Sequence, residues 1–298
     1  MQHIETIADL RQKRAQLSGT VGLVPTMGYL HEGHMSLVAT ATEMCDSVIA
    51  TIFVNPTQFA PDEDLDQYPR DLDRDLSMLR EAGVDMVFFP TPDLMYPPRF
   101  QTWVTVEDVT RGREGGERPT HFKGVTTIVN KLFNLTQPNR AFFGQKDAQQ
   151  VVVIRQMVRD LNIPVDIQVC PIVREEDGLA LSSRNVYLSD EERQSARVLN
   201  QALKQVGQAY DSGERNPDKL RAIAVEKIKA QPNVELDYVS LATATTFEEL
   251  TSAVDVPLLL SVAARVGKPR LLDNCLLPLA LNNRQEATST LGVSSSDA

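Results

Sequence analysis

Four short stretches of the sequence place polar, chemically capable side chains directly after apolar runs. In VPTMGYLHEGHMSL, residues 24–37, His31 and His34 lie three apart and beside the glycines at 28 and 33. If Val24-Pro25 ends a strand and a helix begins near His34, residues 26–33 form a turn whose amides point outward in front of a positive helix end, an arrangement that binds phosphate. Gly28 and Gly33 would let a ligand approach the backbone. The two imidazoles would donate to phosphate oxygens and, when protonated, stabilise charge on a departing phosphate. A glycine-containing turn carrying two surface histidines is the plain structural alternative. A zinc site built from His31, His34 and His121 is disfavoured, because HEGH lacks the HExxH spacing.

The second stretch, FVNPTQF (53–59), offers Asn55 and Gln58, neutral amides suited to a hydroxyl or carboxylate ligand, although Asn-Pro is also an ordinary turn. The third, AFFGQKDAQQ (141–150), sets Lys146 at an expected helix start, where its charge opposes the helix dipole unless an anion sits there. Asp147 could cap that helix or touch the ligand. The fourth, LALSSRN (179–185), joins two hydroxyls to an arginine and could close over a triphosphate or serve as a Ser-rich linker. A further segment, GGERPTHFKGV (115–125), supplies Arg118, His121 and Lys123, whose roles the sequence does not separate.

The elements that must position these residues follow from apolar patterning. Ile7, Leu10 and Leu17 suggest a helix over 5–18 capped at Gly19. TVGLVP (20–25), SVIATIFV (47–54), VDMVFF (84–89) and RAFFG (140–144) read as strands buried on both faces, alternating with helical patterns at 34–45, 71–83 and 123–136. That alternation predicts an α/β fold with a doubly wound parallel sheet, whose ligands bind beyond the carboxyl ends of the strands. After Pro171 the texture changes. Ser189 and Glu192 have the spacing of a capping box opening a helix to about Gly213, and Asn216-Pro217 opens another. Runs at 234–241, 258–264 and 270–274 predict strands of a smaller α+β domain. The expected division is 1–174 and 175–283, with a Ser-rich disordered tail over 284–298.

With 30 basic and 40 acidic residues among 298, the net charge of −10 argues against a nucleic-acid partner. Cys45, Cys170 and Cys275 are scattered, which suits a reducing compartment better than a disulfide framework. The N-terminal segment lacks the apolar stretch of a signal peptide, and the longest apolar run, at 256–264, is too short to span a bilayer. A cytoplasmic protein with no membrane partner is expected. Neither GxxxxGK[ST] nor a well-placed GxGxxG occurs, which counts against kinases and dehydrogenases.

HxGH after the first strand and a Ser-Ser-Arg loop beyond the sheet resemble the signatures of the nucleotidyltransferase superfamily that includes class I aminoacyl-tRNA synthetases. More narrowly, PTMGYLHEGH, FVNPTQF, RPTHFKGV, FGQKDAQQ and LSSRNVYL, in this order, are similar to the pantothenate synthetase family from about residue 20 to about 275. The resemblance implies a Rossmann-like catalytic domain, a smaller C-terminal lid and a homodimer. It also implies a reaction in coenzyme A biosynthesis: ATP activates pantoate as pantoyl adenylate with loss of pyrophosphate, and β-alanine then displaces AMP. Carried over by motif, Met27, Gly28, Tyr29, Leu30, His31, Glu32, Gly33 and His34 would line the ATP site. Gly144, Gln145, Lys146, Asp147, Val173, Leu181, Ser182, Ser183 and Arg184 would also contact ATP. His34 would be the general acid, assisted by His31 and Lys146. Gln58 and Gln150 would hold pantoate, with Gln58 also near β-alanine. Mg²⁺ would bridge phosphate oxygens, with Asp75 a candidate carboxylate whose other reading is helix surface charge. Two positions depart from the family pattern: Gln145 stands where glutamate is frequent, and Leu181 where methionine is. A nucleotidyltransferase acting on a phosphate or alcohol, and a non-catalytic nucleotide-binding module, are the alternatives. A tRNA synthetase is disfavoured by charge and by the lack of an anticodon-binding domain.

Overall fold

The computed structural model describes residues 1–61, 63 and 65–292. Two compact units emerge among the described residues: Met1–Gly144 with Gln149–Cys170, and Gln145–Ala148 with residues 171–292. The break therefore falls at 170/171 rather than at 174, and a short turn at 145–148 belongs with the second unit.

The first unit is an α/β layer structure. Its strands are β1 (Gln2–Ile4), β2 (Val21–Thr26), β3 (Ser47–Ile52), β4 (Met86–Phe88), β5 (Arg140–Gly144) and β6 (Asp166–Cys170), and its helices are α1 (Ile7–Arg14), α2 (Glu32–Met44), α3 (Leu72–Glu81), α4 (Pro92–Met95), α5 (Arg113–Glu117), α6 (His121–Thr136) and α7 (Ala148–Asp160). All strand pairs are parallel, in the order β1-β4-β3-β2-β5-β6. Val24, Ala50 and Val87 pack against Leu37, Val38 and Ala41 of α2 and Leu76 and Leu79 of α3. The alternate strand residues Leu23 and Ile49 are equally buried, so both sheet faces are covered. Strand order reverses between β2 and β5, the place where doubly wound sheets open a ligand crevice.

β1 and β6 are strands that the apolar runs do not announce. β1 is three residues long, and β6 interrupts its apolar residues with Gln168. Helix α1 ends at Arg14 with Ala15 as its cap, short of the expected Gly19. That glycine instead turns the chain into β2 at φ +74°, where a Cβ would collide with the Asp46 carboxylate, itself held by the Thr20 amide and hydroxyl.

The second unit packs α8 (Asp190–Ala196), α9 (Val198–Asp211) and α10 (Pro217–Lys229) with an antiparallel sheet of β7 (Val234–Thr243), β8 (Leu258–Val266) and β9 (Arg270–Leu277). Ser189 and Glu192 form the expected capping box, and Asn216 caps α10 with Pro217 in its first turn. The single helix expected to Gly213 is divided at Arg197 into α8 and α9. The expectation of disorder from 284 is corrected by α11 (Arg284–Thr290). Asn283 caps it by accepting from the Glu286 amide at 3.0 Å. Its Ala287 and Thr290, with Leu291, form a buried stripe at helical spacing, which outweighs the polar composition. Residues 293–298 of the expected tail lie outside the described residues.

Candidate active site

The loop from β2 to α2 is held from inside. His31 is the N-cap of α2, so the helix starts at Glu32, earlier than His34 suggests. The His31 Nδ1 accepts the Gly33 amide at 3.1 Å, and the His34 Nδ1 accepts the His31 amide at 3.3 Å, a capping box made of two imidazoles. A neutral ring that accepts at Nδ1 carries its proton on Nε2, so the helix cap sets the tautomer of both rings. Their centroids are 4.1 Å apart.

The expectation of outward-pointing amides fails at the centre of this loop. The Tyr29 and Leu30 amides donate to Oδ2 and Oδ1 of Asp75, each at 2.7 Å. Asp75 is only 1% exposed, which removes its reading as surface charge, and each of its oxygens accepts a loop amide. Burial raises its pKa, while the two amide bonds pull the other way. Gly28 adopts φ +81° with its Cβ position 3.0 Å from the same carboxylate, so a side chain there would displace the clamp. Tyr29 also sits at positive φ, +51°, a strained setting that the paired amide bonds hold in place.

At the end of β3, Asn55 orders the turn that carries Gln58. Asn55 Nδ2 donates to Gln58 Oε1 at 3.1 Å, and its Oδ1 accepts from the Thr57 and Tyr96 hydroxyls, each at 2.9 Å. This fixes the Gln58 amide with Nε2 as donor, which lies 3.0 Å from the Met27 sulfur. The Gln58 carbonyl accepts from His121 Nδ1 at 2.9 Å and from Arg118 at 3.3 Å, and Arg118 is gripped on its far side by Glu63 at 2.6 and 2.7 Å. His121 is buried; desolvation, then the Arg118 charge, lower its pKa from 6.5 to about 4, so it is a neutral brace. Among the described residues no group of three His, Cys, Asp or Glu could hold a metal. Burial opposes ionisation of Glu63, but the Arg118 bonds and charge prevail and its pKa is lowered. Lys123 is elsewhere occupied, 4.8 Å from the Trp103 ring centroid. Gln150 is half-buried near the start of α7.

In the second unit, Gln145–Asp147 forms a single 3-10 turn leading to α7. Lys146 is half-buried, its Nζ 3.6 Å from the Asp147 carboxylate. Lys146, Ser182 and Asp273 line one pocket together with Leu179 and Leu199. The Ser-Ser-Arg stretch is held by local pairing. Val173 and Leu181 are paired through the Leu181 amide at 3.0 Å, Arg174 bridges to Ala180, and Ser182 caps a 3-10 turn over Ser183–Tyr187 by accepting the Arg184 amide.

Sequence reading missed the bracing role of Asp75, and it passed over Glu63, Tyr96, Asp273 and Asn274. A signal existed at two places. Asp75 shares the helical stripe of Leu76 and Leu79, and Asp273-Asn274 interrupts an apolar strand. A polar residue on a buried face needs a partner.

A parallel sheet whose order reverses beside a histidine-capped helix, with neutral amides on the adjoining strand end, defines an α/β enzyme of the nucleotide-using kind. Comparison sharpens the class. The profile of the pantoate-beta-alanine ligase family matches residues 2–276. The chain is 57% identical over 277 residues to a pantothenate synthetase of Roseiflexus sp. (strain RS-1), covering 93% of this chain and 99% of that one. It is 50% identical over 280 residues to that of Acetivibrio thermocellus, covering 93% and 99%. The crystal structure of pantothenate synthetase from Thermus thermophilus superposes with a TM-score of 0.87 at 47% identity, over 92% of this chain and 98% of that one. A Francisella tularensis pantoate-beta-alanine ligase, complexed with beta-gamma ATP and beta-alanine, gives 0.75 at 33% identity, over 93% and 97%. The chain belongs to the pantoate-beta-alanine ligase family. It is accordingly a ligase that joins pantoate to β-alanine.

Proposed function

We propose that the His31–His34 cap drives the adenylation half of this reaction. The pantoate carboxylate attacks the α-phosphorus of ATP, the bond to the bridging oxygen breaks, and pyrophosphate leaves with the electron pair. His34, its proton on Nε2, donates to the oxygen on which charge develops, and His31 and Lys146 add positive charge or donors. In the second half the β-alanine amine attacks the acyl carbon, AMP departs, and the amine loses a proton as the amide forms. Residues 27–34, with Gly144, Gln145, Lys146, Asp147, Val173, Leu181, Ser182, Ser183 and Arg184, are assigned to ATP. Gln58 and Gln150 are assigned to pantoate, and Gln58 also to β-alanine. Neutral amides suit this task because they hold hydroxyl and carboxylate groups without competing as nucleophiles.

The observation that carries this reading is the reciprocal imidazole cap, which gives both histidines one tautomer at a helix N-terminus. Mg²⁺ is proposed with it, bound by phosphate oxygens and water with few protein ligands, since both Asp75 oxygens are engaged by the loop amides. When bound, the ion would screen the phosphate charge. A homodimer in the cytoplasm completes the proposal; among the described residues no helix is long and apolar enough to cross a membrane.

The test is to supply purified protein with ATP, Mg²⁺ and pantoate and to follow pyrophosphate, AMP and product with and without β-alanine. Sustained AMP release and pantothenate formation only with both substrates is expected. Turnover independent of β-alanine, with the nucleotide retained in the product, would instead favour a nucleotidyltransferase.

A further inference from the structure

The turn carrying Lys146 is held by a patch of amide side chains. Asn274 of β9 donates through Nδ2 to two successive carbonyls, that of Gln145 at 3.0 Å and that of Lys146 at 2.9 Å. Its Oδ1 accepts Gln145 Nε2 at 3.3 Å, and the same Nε2 reaches Asn282 Oδ1 at 2.9 Å. Asn282 in turn pairs with both the amide and the carbonyl of Leu276, each at 2.8 Å. Asn274 is 3% exposed and Gln145 1%. Both hydrogens of Asn274 Nδ2 are thereby spent on the backbone on either side of the Lys146 amide. The neighbouring Asp273 accepts both terminal nitrogens of Arg174, at 2.6 and 2.8 Å, and its Oδ1 also takes the Asn274 amide at 2.8 Å.

An asparagine adds no net charge in doing this. A carboxylate at 274 would face two carbonyls without a proton to donate and would compete for the lysine beside it. The brace therefore fixes the backbone of Lys146 without adding a carboxylate to that of Asp147, which lies 3.6 Å from Nζ. We infer that Asn274 is a positioning residue for adenylation, acting on ATP through Lys146. This rests on the proposed phosphate role of Lys146.

The experiment measures Michaelis constants and adenylation rate for Asn274→Ala, Lys146→Ala and the double variant, at a temperature where thermal melting shows each folded. Asn274→Ala should raise the ATP KM about tenfold, as loss of two backbone hydrogen bonds to one turn allows, while the pantoate KM stays near wild type. Simple loss of folded protein would lower the maximal rate and leave both KM values alone. In the Lys146→Ala background the Asn274 change should have no further effect on ATP use, because the group it positions is gone. An unchanged ATP KM, or effects that multiply in the double variant, would overturn the inference. Near-normal ATP kinetics in Lys146→Ala alone would instead remove the phosphate role on which it stands. Asn274→Ser, read in the same way, replaces the alanine variant if the latter does not fold.

Discussion

The two units restrain their polar turns in contrasting ways. In the α/β unit the braces are ionisable: the Asp75 carboxylate holds the histidine loop, and His121 with the Arg118–Glu63 pair holds Gln58. In the smaller unit the Lys146 turn rests on neutral Asn274, Gln145 and Asn282, and the buried charge of Asp273 is closed in a bidentate pair with Arg174. A carboxylate is the stronger acceptor for two convergent amides, but it is costly to bury and answers to pH. An amide is weaker and indifferent to pH. The first choice suits a strained loop that needs rigidity, and the second holds the backbone of a turn without adding a charge beside its lysine.

The comparison is tested hardest at the histidines. His34→Ala should slow adenylation by about two to four orders of magnitude if the ring donates in the transition state; pre-steady-state pyrophosphate release measures this, and a near-normal rate would take His34 out of the chemistry. His121 separates the units by pH. Its pKa is lowered to about 4, so the unfolded chain takes up a proton below the ordinary value of 6.5 that the folded chain refuses. Stability is full above that value and falls as pH drops through the window, by on the order of 3 kcal/mol. Denaturant unfolding of wild type and His121→Gln at neutral and mildly acidic pH checks this, and equal pH dependences would break the assignment.

Asp75→Asn sharpens the contrast by installing the smaller unit's solution in the α/β unit. The new amide can accept from Tyr29 or Leu30 but must turn its own hydrogens toward the other, costing about 1–3 kcal/mol for the stranded donor. A lower unfolding free energy together with a raised ATP KM is expected; stability equal to wild type would show that the clamp does not need charge. The smallest effect belongs to the end of the second unit. Removing residues 284–298 should cost about 1–2 kcal/mol through loss of the buried Leu291 and Ala287, read as a lower melting temperature, and an unchanged melt would return this segment to the status of a tail.

These residues also show what the sequence could tell. Buried parallel strands are apolar on both faces, so β2, β3 and β5 stand out as runs, and the candidate residues stand out because His31, Asn55 and Lys146 each follow one of these runs. Asp75 and Asn274 carry no such mark. Asp75 finds its partners 45 and 46 positions away, and Asn274 reaches 128 and 129 positions back. Their roles are made by tertiary placement, and only a polar residue on a buried face hints at them. The tail failed for the opposite reason: composition reported Ser and Thr, while the spacing of Ala287, Thr290 and Leu291 reported a helix with one buried side.

Asn282 has a consequence beyond the site. By pairing its side-chain amide with both backbone groups of Leu276, it does at the outer edge of β9 what another strand would do. An open edge on an apolar sheet is a template for a second chain. A chain truncated before residue 282 would leave those two backbone groups without this partner, so it is expected to aggregate more readily than the full chain, which light scattering would show.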